Sequence, residues 1–187
     1  MKDHFFHGNL VYLTAEDPET LANAYPRWWR GSEYMRLFDS MPRPLFSKDM
    51  MKRWLEKDLD KSAQDKFGFA IRTLEDDRLV GDVGLDGVNW AQGDAFVGIG
   101  LGEKQDWGKG YGTDAMQVLL RFAFLELNLR RVSLDVFEYN PRALRSYLKV
   151  GFVIEGRSRR HLNREGRRWD MIYMGILREE WERSLTA

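Results

Sequence analysis

The segment Asp94–Leu120, "DAFVGIGLGEKQDWGKGYGTDAMQVLL", changes its hydrophobic period from two to 3.6 across a glycine-rich turn, and few folds accommodate that. In its first part Ala95, Val97, Ile99 and Leu101 share one face of a strand, while Phe96, Gly98, Gly100 and Gly102 share the other. Its last part opens a helix that is apolar almost all round. Met116, Leu119, Leu120, Ala123 and Leu127 form one stripe, with Val118, Phe122 and Leu125 beside it. Polar residues keep to Asp114, Gln117, Arg121 and Asn128. Such a helix, running roughly from Lys109 to Asn128, is predicted to lie buried against a sheet. The chain must therefore turn from a strand directly into a covering helix.

Three glycines, Gly108, Gly110 and Gly112, stand at the mouth of that helix. Glycine is a poor helix former, so either the backbone turns tightly there or something comes close to it. Helix N-termini leave backbone N–H groups unpaired and carry the positive end of the dipole, and glycines let an anion approach them with no Cβ in the way. The familiar phosphate loops do not fit. A Walker A loop would need glycine where Glu103 stands and Ser or Thr where Gly110 follows Lys109; a dinucleotide GxGxxG would need glycine at Thr113. The alternating glycines of the preceding strand mark close approach too, of a ligand or of a helix packed on the sheet.

The rest of the chain supplies a sheet around this unit. "NLVYLTAED" reads as a short strand and Pro18–Arg30 as a helix with a break or kink near Pro26. "SMPRPLFS" reads as a loop, and Ser47 caps a helix whose Met51, Leu55 and Leu59 recur every four residues beside Trp54. Phe67–Thr73, "LVGDVGLDGV" and "DAFVGIGLG" form an antiparallel meander. After the long helix come the strand "RVSLDVFE", a short helix from Asn140 to Val150, and two strands either side of Gly166. The expected fold is α/β (α+β), a mixed, mostly antiparallel central sheet with helices on both faces, in a single domain over 1–187.

Composition narrows the function. Lys plus Arg and Asp plus Glu balance at 29 each, so no global charge points to nucleic acid or an anionic membrane. The chain has no cysteine, hence no disulfides, no thiolate metal site and no cysteine nucleophile; a reducing cytoplasm is the natural expectation. No apolar run is long enough to span a bilayer, and the first residues lack a signal-peptide core. Locally, "GRSRRHLNREGRRW" packs Arg157, Arg159, Arg160, Arg164, Arg167 and Arg168 with His161 into one stretch. It reads as a solvated hairpin turning at Asn163–Gly166, or as a docking surface for an acidic partner or phosphate.

A second constellation is "YNPRALRSYLKVGF", Tyr139–Phe152. Asn140 suits an N-cap, Pro141 the first helical position and Gly151 the end of the helix. Tyr147, seven residues after Asn140, lies nearly above it on the same helical face, so both can look into one groove. Core packing would also explain a tyrosine there.

Taken together, "WGKGYG" and "NPRALRSYLKVGF", in this order with a strand between, resemble the GCN5-related N-acetyltransferases, and more closely their RimJ/RimL-type branch. That family's signature is Gln/Arg-x-x-Gly-x-Gly/Ala; here Trp107 stands at its first position. The likeness covers about Phe67 to Trp181 and extends to "REGRRWDMIYMGILREEW". It implies transfer of an acetyl group from acetyl-CoA, without a metal, to a small-molecule or peptide amine that attacks directly. Backbone near Leu101 and Gly102 would hold the pantetheine arm with help from Asn140, and Trp107, Gly108, Lys109, Gly110, Tyr111, Gly112 and Thr113 would form the pyrophosphate turn. Tyr147 would face the leaving sulfur. Glu33, Asp82, Glu103 and Asp135 are candidates, by neighbourhood, for taking the amine's proton. Trp28, Trp29, Tyr34 and Trp54 could line an acceptor pocket, or a core, or a homodimer interface. A non-catalytic CoA- or acyl-CoA-binding module is the alternative from another class. An RNA-associated protein using the arginine hairpin is a third, without a nucleic-acid motif in its favour.

Overall fold

The computed structural model describes residues 5–41, 45–60 and 64–186, without the side chains of Ser32, Asp58, Leu59 and Asp60. The centre of the expected loop at Ser40–Ser47 and the side chain of Leu59 thus lie outside the described residues. In chain order the elements are β1 (Val11–Thr14), α1 (Pro18–Arg30), α2 (Ser32–Phe38), α3 (Lys48–Asp60), β2 (Phe67–Thr73), β3 (Leu79–Asn89) and β4 (Asp94–Leu101). There follow α4 (Tyr111–Arg121), β5 (Arg131–Phe137), α5 (Pro141–Val150), β6 (Val153–Arg164), β7 (Arg167–Leu177) and α6 (Arg178–Ser184). The seven strands make one sheet in the order β1-β2-β3-β4-β5-β7-β6. Every neighbouring pair is antiparallel except β4 and β5, which is the expected mixed, mostly antiparallel sheet.

The parallel pair is short. β4 and β5 pair only where Asp94, Ala95 and Phe96 face Arg131, Val132 and Ser133. Beyond Phe96 the two strands part, and a notch opens in the middle of the sheet. One face of the sheet carries the main core, in which Met116, Leu119, Leu120 and Phe124 are buried against Val83, Val97, Leu134 and Ile176. Over the other face α1, α2 and α3 pack a separate cluster around Trp28, Trp29, Tyr34, Met51 and Leu55. The two clusters belong to opposite faces because side chains alternate along a strand.

Several elements differ from expectation. α1 runs through Pro26 without a break, held by burial of Ala22, Ala24, Trp28 and Trp29. α4 starts at Tyr111 rather than Lys109, since Gly108 and Gly110 have φ of 77° and 93°, outside any right-handed helix. It ends at Arg121 in a wide π-type turn over Phe122–Glu126, and that turn swings Leu125 out to 50 % exposure, not into the core. Two short helices were not legible. α2 is too short for periodicity to show, and α6 is signalled only by Glu180, which accepts the Leu177 N–H at 2.9 Å. Among the tryptophans, Trp28, Trp29 and Trp181 are buried within this chain, while Trp54 and Trp90 are exposed at 40% and 53%.

Candidate active site

The glycine turn and α4 meet the notch from the main-core side. At the α4 N-terminus Gly110 is the left-handed N-cap residue and no side chain caps the helix. The acidic residue of the first turn, Asp114, faces the other way: its carboxylate accepts N–H groups from Asn9 (2.9 Å), Leu10 (2.7 Å) and Val11 (3.0 Å). It thereby ties down the entry to β1 and leaves the positive end of α4 clear. A Cβ added at Gly108 would meet nothing within 4 Å, so its backbone borders open space. These features fit an anionic group against the turn, as a pyrophosphate requires.

α5 lies beside α4 and is held to it by the Thr113 and Ser146 hydroxyls, 2.7 Å apart. Asn140 caps α5, its Oδ1 accepting the Ala143 N–H at 3.2 Å, and Gly151 closes it at φ 108°. Asn140 and Tyr147 both face one cleft of about 340 Å³. On the main-core side its walls are Leu101, Gly108, Gly110, Gly112, Thr113, Asn140, Arg142, Arg145, Ser146, Tyr147 and Lys149, and Trp107, also in the wall, packs against the α1–α3 cluster. On the opposite side they are Tyr34, Leu37 and Phe38 of α2, with Ile99 and Gly100 between. The cleft therefore passes through the sheet at the β4–β5 notch. Gly102, Lys109 and Tyr111 are not among its walls: Tyr111 packs against the core, and the Lys109 ammonium faces Asp106 at 3.9 Å.

The strand glycines divide between the two readings offered by the sequence. A Cβ at Gly102 would run into the indole of Trp28, and one at Gly100 into the Tyr34 hydroxyl and the Phe38 ring. There the close approach is made by α1 and α2. At Gly98 a Cβ would meet nothing within 4 Å. The Gly102 N–H bonds to the Val80 carbonyl at 3.0 Å, so by alternation the amide groups of Ile99 and Leu101 turn from β3 toward the notch. Trp107 occupies part of that edge. Its Nε1 donates to the Leu101 carbonyl at 2.7 Å, and the Arg142 guanidinium lies 3.8 Å over its ring. The residue at the first signature position is thus a structural brace. Arg142, Arg145, Ser146 and Lys149 went unrecognised in the sequence: spaced three or four apart they share one face of α5 with each other, but it is not the face of Asn140 and Tyr147.

Burial pushes the Tyr147 hydroxyl up to about 12, and the nearby charge of Asp135 adds to the shift. Of the four carboxylate candidates, Glu33 pairs with Lys104 (2.5 Å) and Glu103 with Arg27 (2.7 Å). Burial raises the other two. Asp82, in register with Gly100 beneath the α1 aromatics, is pushed up to about 7 while accepting from the Tyr25 hydroxyl. Asp135 lies on β5 just past the last residue paired with β4 and is raised by desolvation. Among the described residues no group of three or more His, Asp or Glu side chains could hold a metal.

The arginine hairpin fastens the wall opposite α5. Its turn is the two-residue pair Glu165–Gly166, with φ of 56° and 69°, the type I′ geometry favoured in hairpins. The Arg164 guanidinium donates to the carbonyls of Arg36 (2.6 Å) and Asp39 (2.8 Å), satisfying the frayed end of α2. Arg36 pairs with Glu165, Arg157 with Asp170 at 3.1 Å, and Arg167 stacks over Trp169. Arg164 is thus internal scaffolding, while Arg157, Arg159, Arg160, His161, Arg167 and Arg168 are exposed, as a solvated hairpin requires.

Comparison with known proteins agrees with this geometry. Residues 9–153 match the family model described as an acetyltransferase (GNAT) domain. The chain is 32% identical over 150 residues to the SPbeta prophage-derived uncharacterized N-acetyltransferase YokL of Bacillus subtilis, covering 80% of this chain and 81% of that protein. It is 29% identical over 136 residues to the putative ribosomal N-acetyltransferase YdaF of the same organism, covering 73% and 74%. In fold it resembles the spermidine N-acetyltransferase of Vibrio cholerae in complex with CoA and spermine, with a TM-score of 0.76 at 24% identity over 92% of this chain and 98% of that one.

Proposed function

The chain belongs to the GNAT acetyltransferase family and transfers an acetyl group from acetyl-CoA to an amine; we propose that it does so by direct attack inside the cleft at the β4–β5 notch, with residues 1–187 acting as one catalytic unit. The observation that carries this reading is that the uncapped α4 N-terminus and the Tyr147 hydroxyl border one continuous opening through the sheet. The N–H groups from Gly108 to Thr113 hold the pyrophosphate, Arg145 and Lys149 add positive charge, and the Ile99 amide edge takes the pantetheine arm. The acceptor enters from the α2 side. Its nitrogen attacks the thioester carbon, the C–N bond forms, the C–S bond breaks, and CoA leaves as a thiolate.

Magnitudes assign the protons. Against a thiol near ~8.5, a phenol at about 12 would give up its proton uphill by roughly 5 kcal/mol. Tyr147 therefore keeps its proton and donates a hydrogen bond to the developing thiolate. An alkylamine of pKa near ~10.4 is about one part in a thousand free base at pH 7.4, a deficit of roughly 4 kcal/mol. Asp135 is our candidate for taking that proton: it lies beyond the parting of the strands and its charge reaches Tyr147. Asp82 sits behind the aromatic layer with Tyr25.

The chain has no cysteine and so asks nothing of an oxidising compartment, which suits a cytoplasmic enzyme. A homodimer, if formed, finds its support at the edge strand β6, where Val153 and Ile154 are half exposed. The test is calorimetric titration with acetyl-CoA followed by thiol release across amine classes. Binding with turnover on one class supports the proposal; binding with no turnover on any amine favours the non-catalytic acyl-CoA module.

A further inference from the structure

Chemistry at the acceptor end of the cleft narrows the amine. Tyr34 and Phe38 stack there with ring centroids 5.4 Å apart at 13°, Leu37 lies between them on α2, and Gly100 forms a floor with no side chain. Phe38 remains 36% exposed, so its ring is presented to the opening. Among the described residues, the charged ones that line the cleft are Arg142, Arg145 and Lys149, with no Asp or Glu. Carboxylates near the rim are already committed: Glu33 to Lys104 and Glu103 to Arg27. Behind α2 stand two more cations, Arg36 and Arg164, bound to Glu165 and to the α2 carbonyls.

A polyamine carries a second or third ammonium group, and each one needs oxygen ligands or an opposing charge once removed from water. This mouth offers aromatic rings and a leucine, with cations further in. A single amine on an apolar frame meets the opposite situation. Its frame covers Leu37 and Phe38, and its one ammonium has only to lose a proton. We infer that the acceptor is a monoamine carried on an apolar, preferably aromatic, frame, with no second cationic group. The inference rests on the acetyl-transfer reading above, and it departs from the spermine bound by the Vibrio cholerae neighbour, whose 24% identity speaks for the fold.

Phenethylamine and spermidine, each assayed by thiol release with saturating acetyl-CoA at one pH, test it. The expected kcat/KM for phenethylamine is at least tenfold above that for spermidine. Leu37→Glu, which plants a carboxylate in the apolar wall, should shift the ratio toward spermidine by tenfold or more. Phe38→Glu, at a more exposed position, should move it the same way and serves if the first variant does not fold. Preference of the wild-type enzyme for spermidine overturns the inference while leaving acetyl transfer intact. An unchanged ratio in both folded variants also overturns it. Acetyl-CoA binding with neither amine turned over, nor any other, removes the catalytic reading and this inference with it.

Discussion

The two sides of β4 build their halves of the cleft from different materials. On the α4 side the working surface is backbone: glycines with left-handed φ, an uncapped helix end and the amide edge of a parted strand. On the α2 side it is side chains, since Tyr34 and Phe38 fill the space above Gly100, and Trp28 that above Gly102. In the reading proposed above, the backbone surface recognises what never varies in the reaction, the pyrophosphate and pantetheine of the donor. A side-chain surface can be rebuilt residue by residue, and so it suits the acceptor. Substitutions on one side should therefore leave the other side's constant nearly unchanged.

The largest effect is expected at the junction of the two sides. Asp135→Asn should lower kcat/KM at pH 7 by about 10²- to 10⁴-fold, the usual range for a general base. The sign with pH follows from ionisation: a base must be unprotonated, and burial raises the pKa of Asp135, so activity should fall with decreasing pH above the ordinary carboxylate range. That acid limb should vanish in the variant. A surviving limb would hand the role to Asp82, which the equivalent Asp82→Asn profile would show.

On the backbone side, Gly108→Val puts a branched side chain into the open space of the turn at φ 77°. It should weaken acetyl-CoA binding by about 100-fold, the clash adding to the roughly 1–2 kcal/mol strain of that conformation. The acceptor KM should stay within about twofold. On the side-chain side, Gly100→Ala pushes on the Tyr34–Phe38 pair and should raise the acceptor KM by about tenfold, with acetyl-CoA affinity held. Exchange of the two effects in steady-state kinetics and calorimetry would undo the division between the faces.

Asp82 gives the smallest expected effect on activity and a definite one on stability. Its folded pKa of about 7 exceeds the unfolded value near ~3.9, so the native state binds the extra proton. The stability this confers is complete at low pH and is lost as pH rises toward 7 and beyond. Asp82→Asn, which can still accept from Tyr25, should stabilise the fold over wild type at pH 8.5 by up to roughly 4 kcal/mol, seen as a higher Tm, and change it little at pH 4. Equal Tm differences at both pH values would contradict the buried-carboxylate picture.

These contrasts also explain what was legible in the sequence. The α4 side announced itself because backbone geometry constrains residue type: Gly108 and Gly110 must be glycine to take their φ, and Asn140, Pro141 and Gly151 have defined roles at helix ends. Nothing comparable marks Tyr34 or Leu37, whose positions depend on a seven-residue helix held by Arg164 from the far end of the chain. The same distance hid the structural work of Arg164, which sits in a charge run that is otherwise surface. Gly100 and Gly102, though not Gly98, mark a close approach as read, but only tertiary packing decides that Trp28, and not a ligand, fills the place above Gly102. Trp107 was less legible still. The tryptophan where the signature has Gln or Arg braces the Leu101 carbonyl and stacks beneath Arg142, a role no local pattern contains.

Tyr147→Phe offers the most direct test, because it removes one hydroxyl at the point where the two halves meet. Acetyl-CoA affinity by calorimetry and kcat by thiol release should be measured on the same preparation. The expected result is a kcat lowered by about 10²- to 10³-fold with the acetyl-CoA Kd within about twofold of wild type. An unchanged kcat would remove Tyr147 from the leaving sulfur and contradict the reading of the cleft as the place where the thioester is opened.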